Sequence, residues 1–488
     1  MSETGGTGAS PLEDVDVVVP CFNGERHLAR TLETVFSQTR PPASVLVVDD
    51  GSTDATPRVV ASFGGRVGYV RKENGGQASA RNLGLSLTSN PLVCLLDADD
   101  LLAPTMLETL ARRLADQPAA DLAHADVLGF FGDDADHPNA EAWRPATAWP
   151  SYVEALSLLC AFHGSATVFR RRVFEMHGGF PEARTLQGCE DWHFFLRAAL
   201  GGAVVERVAR PLCLYRYHPQ ASSSSGTAVA RREAELARAA VGLFRESEGR
   251  TRDEWAILAA GVASIAARWI PIGQPDRAAE LRALAASVAP AGFVLPEPAA
   301  ARSRTAQAAL LNLGLADALL GLGRPVLAAV MALRVRDWSE VEGEAVRLGR
   351  ADALGRVTTA MAGLVADELR LAASGGAASY ATHLATALGL VHRAAGREAQ
   401  ARASFEDACR LDANAAWPVL ELLAGDVASG HWGRAARRWR AFGSGDARPC
   451  RLRRFARAAV VRVAQSHPGV REAARRVASA VLSIRPRS

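Results

Sequence analysis

The N-terminal half of the chain alternates short apolar runs with amphipathic stretches. Val15–Val19 is a mostly β-branched run, and Arg26–Gln38 after it carries Leu28, Leu32, Val35 and Phe36 at helical spacing. The pattern then predicts a strand at Val45–Val48, a short helix over Asp54–Phe63, a strand at Val67–Val70, a helix over Gln77–Leu87 and a strand at Leu92–Leu96. Strand and helix alternating at this pace predict an α/β fold with a doubly wound, mostly parallel sheet. The strands are continuous apolar runs, which suits a sheet covered on both faces.

From about Ala228 the strand signals stop and the chain reads as alanine-rich helix to its end. Two seams interrupt it, the polar "QASSSSGT" from Gln220 to Thr227 and the proline-rich "VAPAGFVLPEPAAARS" from Val288 to Ser303. Further on, Leu388, Gly389, Gly396, Ala401, Phe405 and Ala408 sit at tetratricopeptide-like offsets. The pattern recurs in register 34 positions later at Leu422, Leu423, Gly430, Ala435, Trp439 and Phe442. "IGQPDRAAELRAL" and "LGRPVLAAVMAL" resemble degenerate copies. The expected layout is a disordered N-terminus (1–12), an α/β domain (13–226), a helical linker (227–300), an all-α helical-repeat domain (301–450) and a basic helical tail (451–488).

Composition changes this picture little. A 49% hydrophobic and 22% charged chain is ordinary for a globular protein, and a net charge of +4 gives no case for a nucleic-acid partner. The seven cysteines are scattered without a CxxC pair, which reads as free thiols in a reducing compartment. No basic start followed by an apolar core opens the chain, and no uninterrupted apolar run approaches the roughly 18 residues of a membrane span. The expectation is a cytoplasmic protein. The tail from Arg451 to Ser488 holds ten arginines and one acid, Glu472. It reads either as a cap on the last repeat or as a basic helix resting on the inner face of the cell membrane.

The candidate chemistry gathers where strands end. "VVVPCFNGER" runs from a strand into a polar turn and a helix start, a geometry suited to a nucleotide. "VLVVDDGSTDAT" places Asp50 at a strand's carboxyl end, where open α/β sheets bind ligands, and Asp54 where a helix cap would sit. "RKENGGQASARNLGL" makes a glycine turn before a helix that carries Arg81, which reads as a site residue or as part of a solvated face. "PLVCLLDADDL" ends an apolar strand in Asp97, Asp99 and Asp100. Three like charges repel and raise one another's pKa, and a hard divalent cation reverses that sign. Glu190 and Asp191 open a helix in "LQGCEDWHFF", as dipole complements or as a positioned general base.

Together these motifs resemble family 2 glycosyltransferases of GT-A fold, from about Val15 to about Ser225. The order "VVVPCFN", "VVDDGSTD", "ARN", "DADD", "GGF", "EDW" and "YRYHPQAS" carries the resemblance. The resemblance implies that Pro20, Phe22 and Glu25 line the nucleotide pocket and that Asp50 contacts the base. It adds Arg81, Asp97, Ala98, Glu190 and Arg216 to the residues around the nucleotide sugar. Asp97, Asp99, Asp100 and His218 become candidate ligands for manganese or magnesium, and Asp191 the general base. The implied reaction is inverting transfer of one sugar from a nucleotide-diphosphate sugar, a UDP-sugar first, to a glycan or lipid-linked acceptor in cell-surface polysaccharide biosynthesis. The helical repeats would recruit a protein partner. A nucleotidyltransferase and a non-catalytic repeat scaffold are the competing readings.

Overall fold

The computed structural model describes residues 12–131, 149, 151–158, 160–161, 163–217, 226–298, 300–335, 341–373, 379–394, 397–411, 422 and 426. They fall into two compact units, Met1–Glu297 and Pro298–Ser488. That division lies inside the second proline-rich seam.

The first unit runs β1 (Val15–Cys21), α1 (Leu28–Phe36), β2 (Ser44–Asp49), α2 (Thr56–Ala61), β3 (Gly68–Arg71), α3 (Gln77–Leu87), β4 (Leu92–Leu95), β5 (Leu101–Leu102), α4 (Met106–Asp116), β6 (Leu122–Phe131), α5 (Tyr152–Leu158), β7 (Thr167–Arg170), α6 (Arg171–His177), α7 (Glu190–Leu200) and β8 (Val205–Tyr217). One sheet holds the strands in the order β3-β2-β1-β4-β7-β6-β8-β5. The side β3-β2-β1-β4 is parallel, as the alternating pattern predicts. Beyond it the sheet is mixed: β7 runs antiparallel to β4 and β6, β8 parallel to β6, and β5 antiparallel to β8. The sheet is thus mostly parallel, and the antiparallel pairings are the short ones of β7 and β5, in a region where hydrophobic periodicity gives no strand prediction.

Every residue of β1 is buried: α3 packs on the strand, and Leu28, Leu32 and Val35 of α1 share a hydrophobic cluster with its Val15, Val17, Val19 and Cys21. α1 presents Leu28, Thr31, Leu32 and Val35 to the core, the spacing of one helical face. α3 approaches closely through Gly84, where an added Cβ would lie 2.3 Å from Val18 Cγ1. Asp16 is buried inside β1 and satisfied by Ser44 Oγ at 2.6 Å, by the backbone N–H groups of Ser89 and Asn90, and by Arg171. Because β1, β2 and β4 are parallel, the loops after them open on one edge of the sheet. That edge receives residues 22–25, 50–53 and 97–100.

Three further helices complete this unit: α8 (Gly226–Glu246), α9 (Arg252–Ile272) and α10 (Pro275–Val288). The sequence reading set them apart as a linker, but they cluster with the sheet. A capping box of Thr251 and Glu254 starts α9, and Gly273 at φ 81° ends it. By length and composition α9 could cross a membrane, yet 78% of its most apolar window is buried within the protein. It packs on α5, α8 and α10. At Gly261 an added Cβ would lie 2.2 Å from the Ser157 carbonyl oxygen. Burying Ile257, Leu258, Val262 and Ile265 contributes roughly 1.5–3 kcal/mol each. A chain ended after Gly249 is therefore expected to lose the cooperative unfolding transition of the sheet domain. Circular-dichroism melting checks this, and a retained native transition would contradict it.

The second unit is helical throughout its described part: α11 (Arg304–Gly321), α12 (Pro325–Leu333), α13 (Val341–Arg347), α14 (Ala351–Ala373), α15 (Ser379–Ala394) and α16 (Glu398–Leu411). Gly323 at φ 73°, with Pro325 at the next helix start, makes the same turn as Gly273 and Pro275. α15 and α16 pack together so tightly that a Cβ at Gly389 would lie 2.4 Å from Phe405 Cε1. Ala401, Phe405 and Ala408 are buried along this contact. The recurrence around Gly430–Phe442 and the basic tail lie outside the described residues. Gly389→Leu is expected to destabilise this unit by about 1–3 kcal/mol through overpacking. Urea unfolding measures it, and an unchanged midpoint would contradict the close approach.

Candidate active site

The loops after β1 and β2 lock each other. Asn23, at φ 52°, donates its N–H to Ser52 Oγ at 2.9 Å and accepts from Thr53 N at 2.8 Å. Gly24 N donates to Thr56 Oγ1, and Glu25 accepts from Ala55 N at 2.8 Å. Glu25 thus braces the start of α2, while Phe22 is 53% exposed at the mouth of the loop. Pro20 is buried within β1 in register with Val48. Asp54 accepts from Thr56 N and Thr56 Oγ1 in the turn before α2, whose N-cap position is Ala55 and not the expected Asp54.

Asp50 is buried and holds the glycine turn. Its Oδ1 accepts from Lys72 Nζ at 2.8 Å and Gly75 N at 2.9 Å, and its Oδ2 from Gly76 N at 2.8 Å. Its backbone carbonyl accepts from Asn74 Nδ2. Positive φ at Gly76 (93°) lets the chain turn straight into α3.

Asp97–Asp100 form the link between β4, held in the sheet by β1 and β7, and β5, which pairs with β8, so both ends of the loop are fixed. Asp97 Oδ1 accepts from Gln77 Nε2 and Arg81 Nη2, each at 2.8 Å. Gln77 and Arg81 stand four apart on one face of α3. Burial pulls the Asp97 carboxyl upward, but Arg81 and His163 outweigh it and hold the group below its ordinary range. Ala98 is half-buried, and its carbonyl accepts from Thr31 Oγ1 at 2.9 Å. Asp99 is half-buried, and its carbonyl accepts from Arg216 Nε at 2.9 Å.

Asp100 is wholly buried. It accepts from Ser165 Oγ at 2.7 Å and Arg216 N at 3.1 Å. Burial, with Asp99 and Asp97 beside it, pushes its carboxyl well above the usual range. Its geometry is that of a brace under the loop. Ser165 also accepts from Asp97 N at 3.1 Å, so one hydroxyl ties two of the acids. One atom each from Asp100, His163 and Cys213 lies within a 4.8 Å cluster. There His163 Nδ1 already accepts from Ser165 N at 3.2 Å. Arg216 is 2% exposed, with its guanidinium 4.5 Å from the Phe130 ring centroid. It braces the acid loop from behind. His218 lies outside the described residues.

Glu190 and Asp191 open α7. Glu190 is 2% exposed and accepts from Arg81 Nη1 at 2.7 Å and from Gly188 N. Burial and the neighbouring Asp191 raise its carboxyl despite Arg81. Asp191 is half-buried and accepts from Trp192 N at 2.7 Å. The solvated-face reading of Arg81 is wrong: the residue is 3% exposed. It joins Asp97 and Glu190, which are far apart in sequence. Ser165, Gln77, Lys72 and His163 were missed. Ser165 sits in "HGSATVF", which carries no signal beyond an ordinary turn before a strand.

Comparison with known proteins bears on the same stretch. Residues 16–178 match the Glycosyl transferase family 2 profile. The putative glycosyltransferase EpsH of Bacillus subtilis is 27% identical over 216 residues, 42% of this chain and 61% of that protein. The succinoglycan biosynthesis protein ExoO of Rhizobium meliloti is 31% identical over 223 residues, 43% of this chain and 62% of that protein. The chain therefore spans about three fifths of the length of these two relatives. Among solved structures, Staphylococcus aureus TarS 1–349 in complex with UDP-GlcNAc aligns at TM-score 0.43 and 19% identity, covering 69% of this chain and 92% of that one. The Pyrobaculum calidifontis mannosyltransferase PcManGT in complex with GDP-Man and Mn2+ aligns at TM-score 0.42 and 23% identity, covering 67% and 89%. Over residues 16–178, which hold Asp50, Arg81, the Asp97–Asp100 loop and Ser165, this chain is similar to Glycosyl transferase family 2.

Proposed function

We propose that this protein transfers a single sugar from a nucleotide-diphosphate sugar to an acceptor hydroxyl, with inversion and with a divalent metal. The observation that carries the reading is the convergence of the "DADD" loop and the "EDW" helix start on Arg81, at 2.8 and 2.7 Å. That convergence sets a concentration of acids beside a helix-borne carboxylate at the ligand-binding edge of the sheet. The acid loop suits a hard cation: burial and like charge already hold Asp100 far from its ordinary range. Asp97 and Asp99 would hold manganese or magnesium, while Asp100, committed to Ser165 and Arg216, positions them. When bound, the cation supplies positive charge against the leaving diphosphate.

The chain's own residues supply the rest. Phe22 and Asp50 lie on the loops that would receive the nucleotide. Asp191, half-buried at the start of α7, takes the acceptor proton as the oxygen attacks the anomeric carbon opposite the diphosphate. The succinoglycan link in the name of ExoO supports a glycan or lipid-linked saccharide as acceptor. The helical second unit is proposed to recruit a partner or that acceptor. A thermal-shift screen of UDP-, GDP- and dTDP-sugars with manganese tests the donor class. Stabilisation by at least one of them, lost on chelation, is expected, and a flat response to all would contradict it.

A further inference from the structure

We infer that Arg81 is a positioning residue that couples the donor side of the site to the acceptor side. The inference rests on the transferase reading above. Both terminal nitrogens of the guanidinium are spent on protein carboxylates, Asp97 Oδ1 and Glu190 Oε1. Side-chain exposure is 4% for Arg81, 22% for Asp97 and 2% for Glu190. Such a group has little surface left for substrate. What it sets is the gap between the loop of Asp97–Asp100 and the first turn of α7, where Asp191 follows Glu190.

The supports of Arg81 are rigid. α3 is pressed on the sheet at Gly84, three residues on, where even a methyl group would collide with Val18. Asn82 clamps the loop between α6 and α7, accepting from Phe180 N at 2.7 Å and donating to the Phe180 carbonyl at 2.9 Å. The Phe180 ring lies 5.4 Å from the Arg81 guanidinium carbon. Gln77 shares Asp97 Oδ1. Arg81 Nε is buried and makes no hydrogen bond among the described residues, so the hydrogen bonds that orient the fork are those of its two terminal nitrogens to the two carboxylates. A planar fork can bridge two carboxylates at fixed separation, whereas an ammonium is a point charge on a flexible stem. Charge alone does not replace it.

The test is steady-state kinetics of the full chain for R81K, R81Q, E190Q and R81Q/E190Q, with thermal melting to establish folding. A misplacement of about 1 Å costs on the order of 10²-fold in rate. R81K and E190Q are expected to lose about that much kcat, with E190Q leaving the donor KM within threefold. R81Q is expected to lose kcat and also to raise the donor KM, through Asp97. The double variant should be no slower than R81Q, because one linkage is broken once. A folded R81K with kcat within threefold of the unaltered chain overturns the inference, as do losses that multiply in the double variant. If the unaltered chain turns over no nucleotide sugar, the transferase reading fails and the coupling is read by calorimetry with UDP and manganese. Weaker binding in R81K and R81Q with E190Q unchanged then supports it. Equal affinities in all variants overturn it.

Discussion

Asp191→Asn is expected to lower sugar transfer by about 10²–10⁴-fold while leaving nucleoside-diphosphate binding within a fewfold of the unaltered chain. An amide preserves the shape of the carboxylate and can still accept from Trp192 N, the bond that Asp191 makes at the start of α7. What it loses is the ability to take a proton from the acceptor. Glu190, one residue earlier, cannot substitute, since it is buried on Arg81. Initial rates with a radiolabelled donor, beside calorimetry of the nucleoside diphosphate, measure the two effects separately. Retention of most of the activity would reduce Asp191 to a helix-end acid serving the dipole.

Asp99→Ala is expected to remove the metal-dependent part of donor binding, with an affinity loss of more than about 100-fold, beyond the 10–100-fold typical of groups that only support a ligand. The loop itself should survive. The Asp99 carbonyl stays on Arg216 Nε, and Asp100 stays on Ser165 and Arg216 N. Asp100→Ala should behave differently. It strands two buried donors, and a lost buried partner costs about 1–3 kcal/mol, so it lowers the melting temperature as well as binding. Calorimetry with manganese present or chelated, paired with thermal melting, separates a ligand from a brace. Unchanged metal-dependent affinity in Asp99→Ala would remove the metal from this loop.

Much of the first unit is legible in local pattern. α3 falls where periodicity puts it, at Gln77–Leu87, and β1, β2 and β4 fall within two residues of their apolar runs. The parallel half of the sheet is readable because each strand is a continuous run buried on both sides. The mixed half is not. β5 is two residues long, and β6 and β8 carry His124, Asp126, Glu206 and Arg207 among their apolar residues, which hides their period. The helices α8–α10 read as a linker because composition changes from about Ala228, yet packing decides membership, and Gly261 against Ser157 is a contact no composition reveals.

In the candidate site, the acids were legible because three carboxylates at a strand end have no packing purpose. Their partners were not. Ser165 comes from a turn 65 residues beyond Asp100, and nothing local distinguishes it from any other serine. Arg81 was visible as a candidate, but its role depends on Glu190, 109 residues away. Asp50 was placed toward a base by resemblance. The structure shows its carboxylate accepting three bonds from residues 72–76, a use that loop folding alone creates.

The central claim is that the acids of the Asp97–Asp100 loop and Asp191 serve one metal-dependent sugar transfer. The most direct measurement is release of nucleoside diphosphate by the full chain from a panel of UDP-, GDP- and dTDP-sugars, with manganese and with a chelator. The account predicts release from at least one donor with the metal, abolished by chelation and by Asp99→Ala. Release that persists undiminished in the chelator and in Asp99→Ala, or no release from any donor by a chain that calorimetry shows to bind none of them, would contradict it.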